Sequence, residues 1–151
     1  VAKSGVGVAV KKGAITPPIT TGEELKQAVL SAKSIAYSAQ GSTGPIMKRI
    51  FERFGVTDAM NSKTVVVTKT TAAEAVALGQ AEMGFTQISE ILDTPSAQLV
   101  GPLPSEVQVY TSFAAAAAVG AKDPGATQAF IDVLASPAAK AVLKARGLEP
   151  N

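Results

Sequence analysis

Apolar residues recur along this chain with two spacings, one typical of strands and one typical of helices. Residues 6–10 form a continuous apolar run, whereas Leu25, Ala28, Val29 and Ala32 recur as one face of a helix. Further runs that predict strands lie at residues 34–37, 64–67, 84–86, 98–100 and 107–113, the last extended into the alanines at 114–118. Because strands and helices alternate, the pattern predicts an α/β fold with a mainly parallel sheet and helices on both faces.

The predicted helices begin at residues that can accept hydrogen bonds from the first helical turn. Thr21 and Glu24 have the spacing of a capping box, and the threonines at 70–71 can cap a later helix. Asp123 and Ser136 each precede a proline, which suits the first helical position because it lacks the N–H that would be unpaired there. These signals place helix N-termini soon after several of the predicted strands.

Composition removes several classes of function. A net charge of +2 gives no concentrated basic surface for nucleic acid, so a nucleic-acid partner is not expected. Histidine and cysteine are both absent, which excludes Ser–His and Cys–His nucleophiles, disulfides and the usual structural zinc sites. The longest apolar stretch, residues 113–121, is about half the length of a membrane-spanning helix.

Small polar residues collect where three successive predicted strands end. In open α/β sheets, ligands bind beyond the carboxyl ends of the strands, next to helix N-termini. Unpaired N–H groups and a partial positive charge there can hold an anion without any Lys or Arg. The candidate ligand-binding residues at these junctions are Ser38, Ser42, Thr43, Gly44, Thr70, Thr71, Ala72 and Gln87.

Each of these junctions also has a purely structural interpretation. Ser and Thr before a helix are usually caps, residues 41–44 can form a flexible turn, and Gln87 can be a surface amide. The loop lacks the Lys-Ser/Thr ending of a phosphate-binding P-loop. Carboxylates such as Glu90 have sufficient structural roles, so no catalytic residue, metal ligand or cofactor is predicted. If the functional interpretation holds, Gln87→Ala and Thr71→Ala weaken ligand binding more than they lower stability.

Five segments of the chain, taken in order, carry a resemblance to a known family. They are AKSGVGVAV at residues 2–10, KSIAYS at 33–38, QISEI at 87–91, VGPLP at 100–104, and AKDP at 121–124 together with SP at 136–137. Over nearly the whole chain, this series resembles bacterial extracellular solute-binding proteins related to the periplasmic molybdate-binding protein of ABC transporters.

The resemblance implies a type II periplasmic-binding-protein fold with one lobe complete and the other partial. Residues 1–10 and 104–120 would be crossing strands, residues 11–103 the second, ligand-binding lobe, and residues 121–151 helices of the first lobe. In molybdate binders of this family, two helix starts and a Tyr hydroxyl hold the anion. Gln87 stands at the position of that Tyr, and the loop at residues 38–44 also departs from the molybdate pattern. The implied ligand is therefore a small anion, a molybdate-like oxyanion or an organic carboxylate, and not molybdate specifically.

The resemblance also implies a periplasmic or other extracytoplasmic location, and a membrane permease as partner. A partial first lobe would leave apolar side chains uncovered in the last part of the chain, namely Phe113, Phe130, Ile131, Leu134, Val142 and Leu143. We therefore expect a proteolytic remnant, an exchanged dimer or a rearranged association. A monodisperse monomer without a companion fragment would argue against all three.

These inferences lead to a non-enzymatic transport receptor, with two alternatives left open. The first alternative is an effector-sensing domain of a transcriptional regulator with the same fold, which a helix-turn-helix elsewhere in the gene product would favour. The second is an enzyme on this scaffold, such as an isomerase or transferase. Turnover that is lost when Glu90 is mutated would favour the enzyme.

Overall fold

A computed structural model describes the whole chain, residues 1–151, as one sheet with flanking helices. The strands are β1 (Ala2–Lys11), β2 (Ile35–Ser38), β3 (Thr64–Val67), β4 (Met83–Gln87), β5 (Ala97–Pro102), β6 (Tyr110–Phe113) and β7 (Glu149–Pro150). The helices are α1 (Gly22–Ser31), α2 (Thr43–Phe54), α3 (Thr57–Asn61), α4 (Ala72–Ala77), α5 (Ile88–Leu92), α6 (Pro124–Ala135) and α7 (Pro137–Ala145). None of these helices is long and apolar enough to cross a membrane.

The main part of the sheet has the strand order β3-β2-β4-β1-β5. β2 pairs in parallel with both β3 and β4, while β1 lies antiparallel between β4 and β5. Four of the five strands therefore point in one direction and β1 runs against them. This is the predicted mainly parallel arrangement, with one reversed strand next to the edge strand β5.

β1 changes its hydrogen-bonding partners part-way along its length. Its residues 6–11 pair with β4 and β5, whereas residues 2–5 pair with β6 and β7. The side chain of Gln108 occupies the position between β5 and β6 where this change takes place. Its amide oxygen accepts from the Val6 N–H at 3.0 Å, and its amide nitrogen donates to the Val6 carbonyl oxygen at 2.9 Å. The amide thus replaces a missing strand neighbour at this point.

The core has a layer on each face of the main sheet. On one face, Phe85 and Ile35 pack with the apolar stripes of α1 and α2, including Leu25 and Met47. On the other face, α4 packs its alanines and Val76 against β2 and β3. Burying an aliphatic or aromatic side chain of this size contributes about 1.5–3 kcal/mol. The predicted helices on both faces are therefore present and carry the stability of this part of the chain.

The capping box predicted at the start of α1 is present. The Thr21 hydroxyl accepts from the Glu24 N–H, and the Glu24 carboxylate accepts from the backbone N–H of Thr21. The Thr20 hydroxyl and N–H also donate to that carboxylate, and these hydrogen bonds lower the pKa of Glu24, the hydroxyl contributing most. The spacing of residues in the sequence was sufficient to predict this cap, because all of its hydrogen-bond partners lie within one turn of the helix.

The strand predicted from residue 107 into the alanine run is wrong at both ends. Val107 lies in a turn whose N–H groups at residues 107 and 108 donate to the Pro104 carbonyl, and β6 begins only at Tyr110. At the other end Phe113 pairs with Ala2, the first residue of β1. Residues 114–118 have no strand beside them to hydrogen-bond with, and they form no regular structure. The alternation of apolar and polar residues in this segment could not show where its partner strand ends.

Three further features differ from the predicted pattern. β1 begins at Ala2 rather than residue 6, because β6 and β7 extend the ladder. The short helix α3 and the two-residue strand β7 were not predicted at all, since each depends on neighbours distant in sequence.

The helices α6 and α7 contain no buried residue. Asp123 and Ser136 cap them as predicted, each accepting a backbone N–H. Phe130 is 64% exposed and Val142 is 62% exposed. The last part of the chain therefore presents an apolar surface that nothing in this chain covers.

Candidate functional site

The carboxyl ends of β2, β3 and β4 lie at one edge of the sheet, because the three strands are parallel neighbours. Ser38 at the end of β2 is in register with Val67 at the end of β3. β2 and β4 pair through Ala36 and Gly84, so β4 ends at the same edge with Gln87. The chain then enters α2, α4 and α5, respectively. Three predicted junctions therefore converge on one edge.

Gln87 forms the centre of a hydrogen-bonded group at this edge. It is 7% exposed, and its Nε2 lies 3.2 Å from Ser42 Oγ and 3.1 Å from Thr111 Oγ1. The Thr111 hydroxyl also donates to Ser42 Oγ at 3.3 Å. Two predicted site residues are thus in direct contact, and Thr111 from β6 joins them. We call these three residues the polar triangle.

Thr111 was not among the predicted site residues, although its sequence position carried a signal. It lies in an alternating run with Val107, Val109 and Phe113, so it is a hydroxyl in a series of apolar positions. In the folded chain, Thr111 pairs with Ser4 of β1, whose side chain is fully buried. A polar residue in such a series indicates a polar neighbour, but the neighbour itself could not be identified from the sequence.

The first turn of α2 presents unpaired donors beside the polar triangle. Ser42 is the N-cap residue, yet its hydroxyl makes no capping hydrogen bond. The N–H groups of Thr43 and Gly44 have no acceptor within the helix because of their position, and Pro45 has no N–H. The Ser42 hydroxyl is therefore free of the structural duty that most Ser residues at this position perform.

Gly44 permits a close approach between the start of α2 and the preceding loop. A Cβ atom at this position would lie 2.6 Å from the Ser38 carbonyl oxygen and 3.0 Å from the Ala39 Cα. Both of these are backbone atoms, which cannot rotate out of the way. The α2 donors can hold their position relative to Ser38 only with glycine at residue 44.

The remaining predicted residues have local structural roles or lie apart from the polar triangle. The Ser38 hydroxyl accepts from the Gly41 N–H at 3.2 Å within the loop. Thr71 forms a capping box with Glu74, its hydroxyl accepting at 3.1 Å and its N–H donating at 2.7 Å. Thr70 is exposed and Ala72 is buried. No hydrogen bond joins the start of α4 to Gln87, so the structural interpretation is sufficient for Thr71.

In place of the expectation from the sequence that Thr71→Ala mainly weakens binding, these capping contacts lead us to propose that it mainly lowers stability. We expect Thr71→Ala to lower the free energy of unfolding by about 1 kcal/mol, the usual cost of losing a cap. Ser42→Ala is the matched N-cap comparison: it removes no capping bond, but Gln87 Nε2 and Thr111 lose their acceptor, so it should also cost about 1 kcal/mol and is compared with Thr71→Ala by affinity. Urea denaturation and titration calorimetry with an anion check the pair. A larger loss of affinity in Thr71→Ala than in Ser42→Ala would contradict this assignment.

No ionisable side chain hydrogen-bonds to the polar triangle. The nearest carboxylate along the chain is Glu90, and it accepts from the Thr86 hydroxyl. Thr86 and Gln87 are consecutive residues of β4, so their side chains leave opposite faces of the strand. The hydrogen-bonding groups at this edge are therefore hydroxyls, one amide and backbone N–H groups, a set that can bind an anion without carrying a charge.

Residues 1–149 match the family of bacterial extracellular solute-binding proteins. The chain belongs to this family. PEB3 from Campylobacter jejuni has the same fold, with a TM-score of 0.72 and 20% identity over 100% of this chain and 67% of PEB3. The periplasmic molybdate-binding protein of Azotobacter vinelandii gives 0.67 and 18%, over 99% of this chain and 66% of that protein. The predicted family resemblance and the predicted fold class are confirmed.

A relative with higher sequence identity carries the name of an enzyme. Aconitate isomerase from a Pseudomonas species is 30% identical over 148 residues, which is 98% of this chain and 56% of the isomerase. The chain therefore spans little more than half the length of this curated relative. Membership of the solute-binding family and the name of this relative point to binding and to catalysis, respectively.

Proposed function

We propose that this extracellular solute-binding protein binds a small anion, either an organic carboxylate or a molybdate-like oxyanion, and presents it to the permease of an ABC transporter. The observation that carries the proposal is the polar triangle beside the unpaired N–H groups of α2. Helix N-termini bind anions through such N–H groups and the helix dipole. The name of the molybdate-binding neighbour is consistent with an anionic ligand.

The absence of an ionisable group in contact with the triangle supports binding without turnover. General acid–base catalysis needs a side chain that can gain or lose a proton within hydrogen-bond reach of the substrate. Ser42, Thr111 and Gln87 cannot fulfil that role near neutral pH. We therefore propose that the chain acts as a receptor outside the cytoplasm, as the extracellular family to which it belongs suggests.

A second candidate function is isomerisation of an unsaturated tricarboxylate, because the named relative is an aconitate isomerase. Such a reaction would move a double bond or rotate about it, and both routes are assisted by a positioned base. Glu90 is the carboxylate nearest to the triangle along the chain, and Thr86 holds it on the other face of β4. Under this second hypothesis, Glu90→Gln abolishes turnover; under the receptor hypothesis there is no turnover to abolish.

A single set of titrations separates the two functions. Molybdate, sulfate, cis-aconitate and trans-aconitate are titrated into the chain in a calorimeter, and the aconitate samples are then followed by NMR for interconversion. The receptor hypothesis predicts saturable binding of at least one anion, tighter than about 1 mM or about 4 kcal/mol, without interconversion. Interconversion that depends on the protein would establish the enzyme. No binding of any of the four anions would refute the proposed receptor for small anions.

We further propose the division into lobes that the resemblance implies, with residues 121–151 belonging to a first lobe that this chain only partly contains. The exposed apolar surface of α6 and α7 supports this division, since monomers rarely leave such a surface in water. The chain by itself should therefore associate. Light scattering coupled to size exclusion is expected to give a mass above the 15.3 kDa of one chain. A monodisperse species of that single-chain mass would contradict the proposal.

A further inference from the structure

The hydrogens of the polar triangle can be assigned by counting donors and acceptors. An amide NH₂ has two hydrogens, and Gln87 Nε2 directs one to Ser42 Oγ and one to Thr111 Oγ1. The 3.3 Å contact between Thr111 and Ser42 uses one hydroxyl hydrogen. Because Thr111 is half-buried and Ser42 is exposed, we assign that hydrogen to Thr111, which leaves no half-buried hydroxyl hydrogen unpaired. Ser42 Oγ therefore accepts two hydrogen bonds, which fills both of its lone pairs. Its own hydrogen has no acceptor within the triangle and remains available.

The opposite orientation of the Gln87 amide would remove this available hydrogen. With oxygen and nitrogen exchanged, the hydroxyls of Ser42 and Thr111 would both donate to the amide oxygen, and neither could donate to a ligand. That orientation would leave an NH₂ with two hydrogens in the position now held by Oε1, which is buried without a partner. A buried carbonyl oxygen without a partner is tolerated more readily than buried N–H donors. The opposite orientation of the amide also forms only two hydrogen bonds in the triangle, whereas the observed orientation forms three. The observed orientation is therefore favoured.

The position of Ser42 places its available hydrogen at the N-terminal end of α2. Ser42 is the exposed N-cap residue of the twelve-residue helix α2, and its hydroxyl does not cap the helix. A hydroxyl that already accepts two hydrogen bonds is polarised and becomes a stronger donor. The buried amide of Gln87 therefore prepares Ser42 to donate at the same helix end where the N–H groups of Thr43 and Gly44 are unpaired.

We propose that Gln87 is a positioning residue that fixes the Ser42 hydroxyl as a donor to the anion, and that Thr111 completes this arrangement from β6. This inference rests on the proposed anion-binding function. It attributes the ligand preference of the site to the directions in which three uncharged side chains donate their hydrogens. Such a site favours the ionised form of a carboxylate or oxyanion, which offers only acceptors. A protonated acid presents a hydrogen to a site that already has an excess of them.

A double-mutant cycle tests whether Gln87 acts through Ser42. Gln87→Met keeps the length of the side chain and removes its hydrogen bonds, and Ser42→Ala removes the donor. With trans-aconitate as the probe and sulfate in parallel, we expect Gln87→Met to weaken binding about tenfold in the wild-type background. In the Ser42→Ala background, the same change should cost less than about twofold, because the donor it positions is gone. Equal losses in both backgrounds would overturn the inference, since a merely structural role for Gln87 costs the same in each.

Variants of Thr111 provide a second measurement that does not depend on replacing Gln87. Thr111→Val keeps the β-branched shape and removes the hydroxyl, and Thr111→Ser restores the hydroxyl with less bulk. We expect about a threefold weaker binding of the probe in the valine variant and recovery in the serine variant. If the serine variant bound the probe as weakly as the valine variant, the role of Thr111 would be packing, and its hydroxyl would not help to orient Ser42. If the wild type bound neither probe, molybdate and cis-aconitate would be tried in their place. Binding of none of the four would refute the proposed function itself, a result distinct from an additive cycle.

Discussion

Gln108→Met is expected to lower the free energy of unfolding by about 2–4 kcal/mol, the largest effect of any polar substitution in the chain. The amide oxygen of Gln108 accepts from the N–H groups of Val6 and Val109, both at 3.0 Å. Methionine preserves the volume but removes the acceptor, and each buried donor left without a partner costs about 1–3 kcal/mol. Val6 is fully buried, so water cannot replace the lost acceptor there.

Urea denaturation monitored by circular dichroism measures this effect. Gln98→Met is the matched control, because the Gln98 amide oxygen also accepts a backbone N–H, that of Gly13, but in an exposed place. Water can solvate that N–H, so the control should lose less than about 0.5 kcal/mol. Equal losses in the two variants would mean that the contact between Gln108 and β1 is incidental.

Gly44→Ala is expected to have the second-largest effect and to act on both stability and binding. The added Cβ would lie 2.6 Å from the Ser38 carbonyl oxygen, so the loop or the first turn of α2 must move. Overpacking of this kind costs about 1–3 kcal/mol, partly offset by about 1 kcal/mol from the better helix propensity of alanine. Because the shift displaces the N–H groups of Thr43 and Gly44, anion affinity should fall about tenfold or more.

The same loop supplies the control for this prediction. A Cβ at Gly41 would lie 3.5 Å from Ser38 Oγ, an ordinary van der Waals distance. Gly41→Ala should therefore leave both the urea midpoint and the anion affinity close to those of the wild type. If Gly44→Ala bound the anion as tightly as Gly41→Ala, the donors of α2 would not be part of the site.

The parts of the fold that were predicted correctly depend on contacts close in sequence. The capping pair Thr21 and Glu24, and the caps at Thr71, Asp123 and Ser136, each join residues three positions apart. Such pairs can be identified from spacing alone. The strand boundaries were predicted less well, because β1 and β6 end where their partners end and not where their own pattern changes.

The candidate site shows the same division between local and distant information. Ser42 and Gln87 were predicted because each lies where a strand passes into a helix, which is a local property. Thr111 was missed because it approaches Ser42 across 69 residues of sequence. Outside the site, the contact of Gln108 with Val6 was missed for the same reason, since it spans 102 residues. For Thr71 the sequence allowed both a cap and a ligand-binding residue. Its hydroxyl accepts from the Glu74 N–H, so the cap is present, and a role in ligand binding stays a prediction.

The place of β1 in the strand order limits how this protein can be dissected. β1 lies between β4 and β5, so a fragment that starts at residue 12 would lose the strand that joins them. Such a fragment would expose a new sheet edge on each side of the gap, and unprotected edges promote aggregation. Serial truncation from the amino end would therefore destroy solubility before it reached any residue of the polar triangle. Mapping of the site in this protein calls for point substitutions in the intact chain.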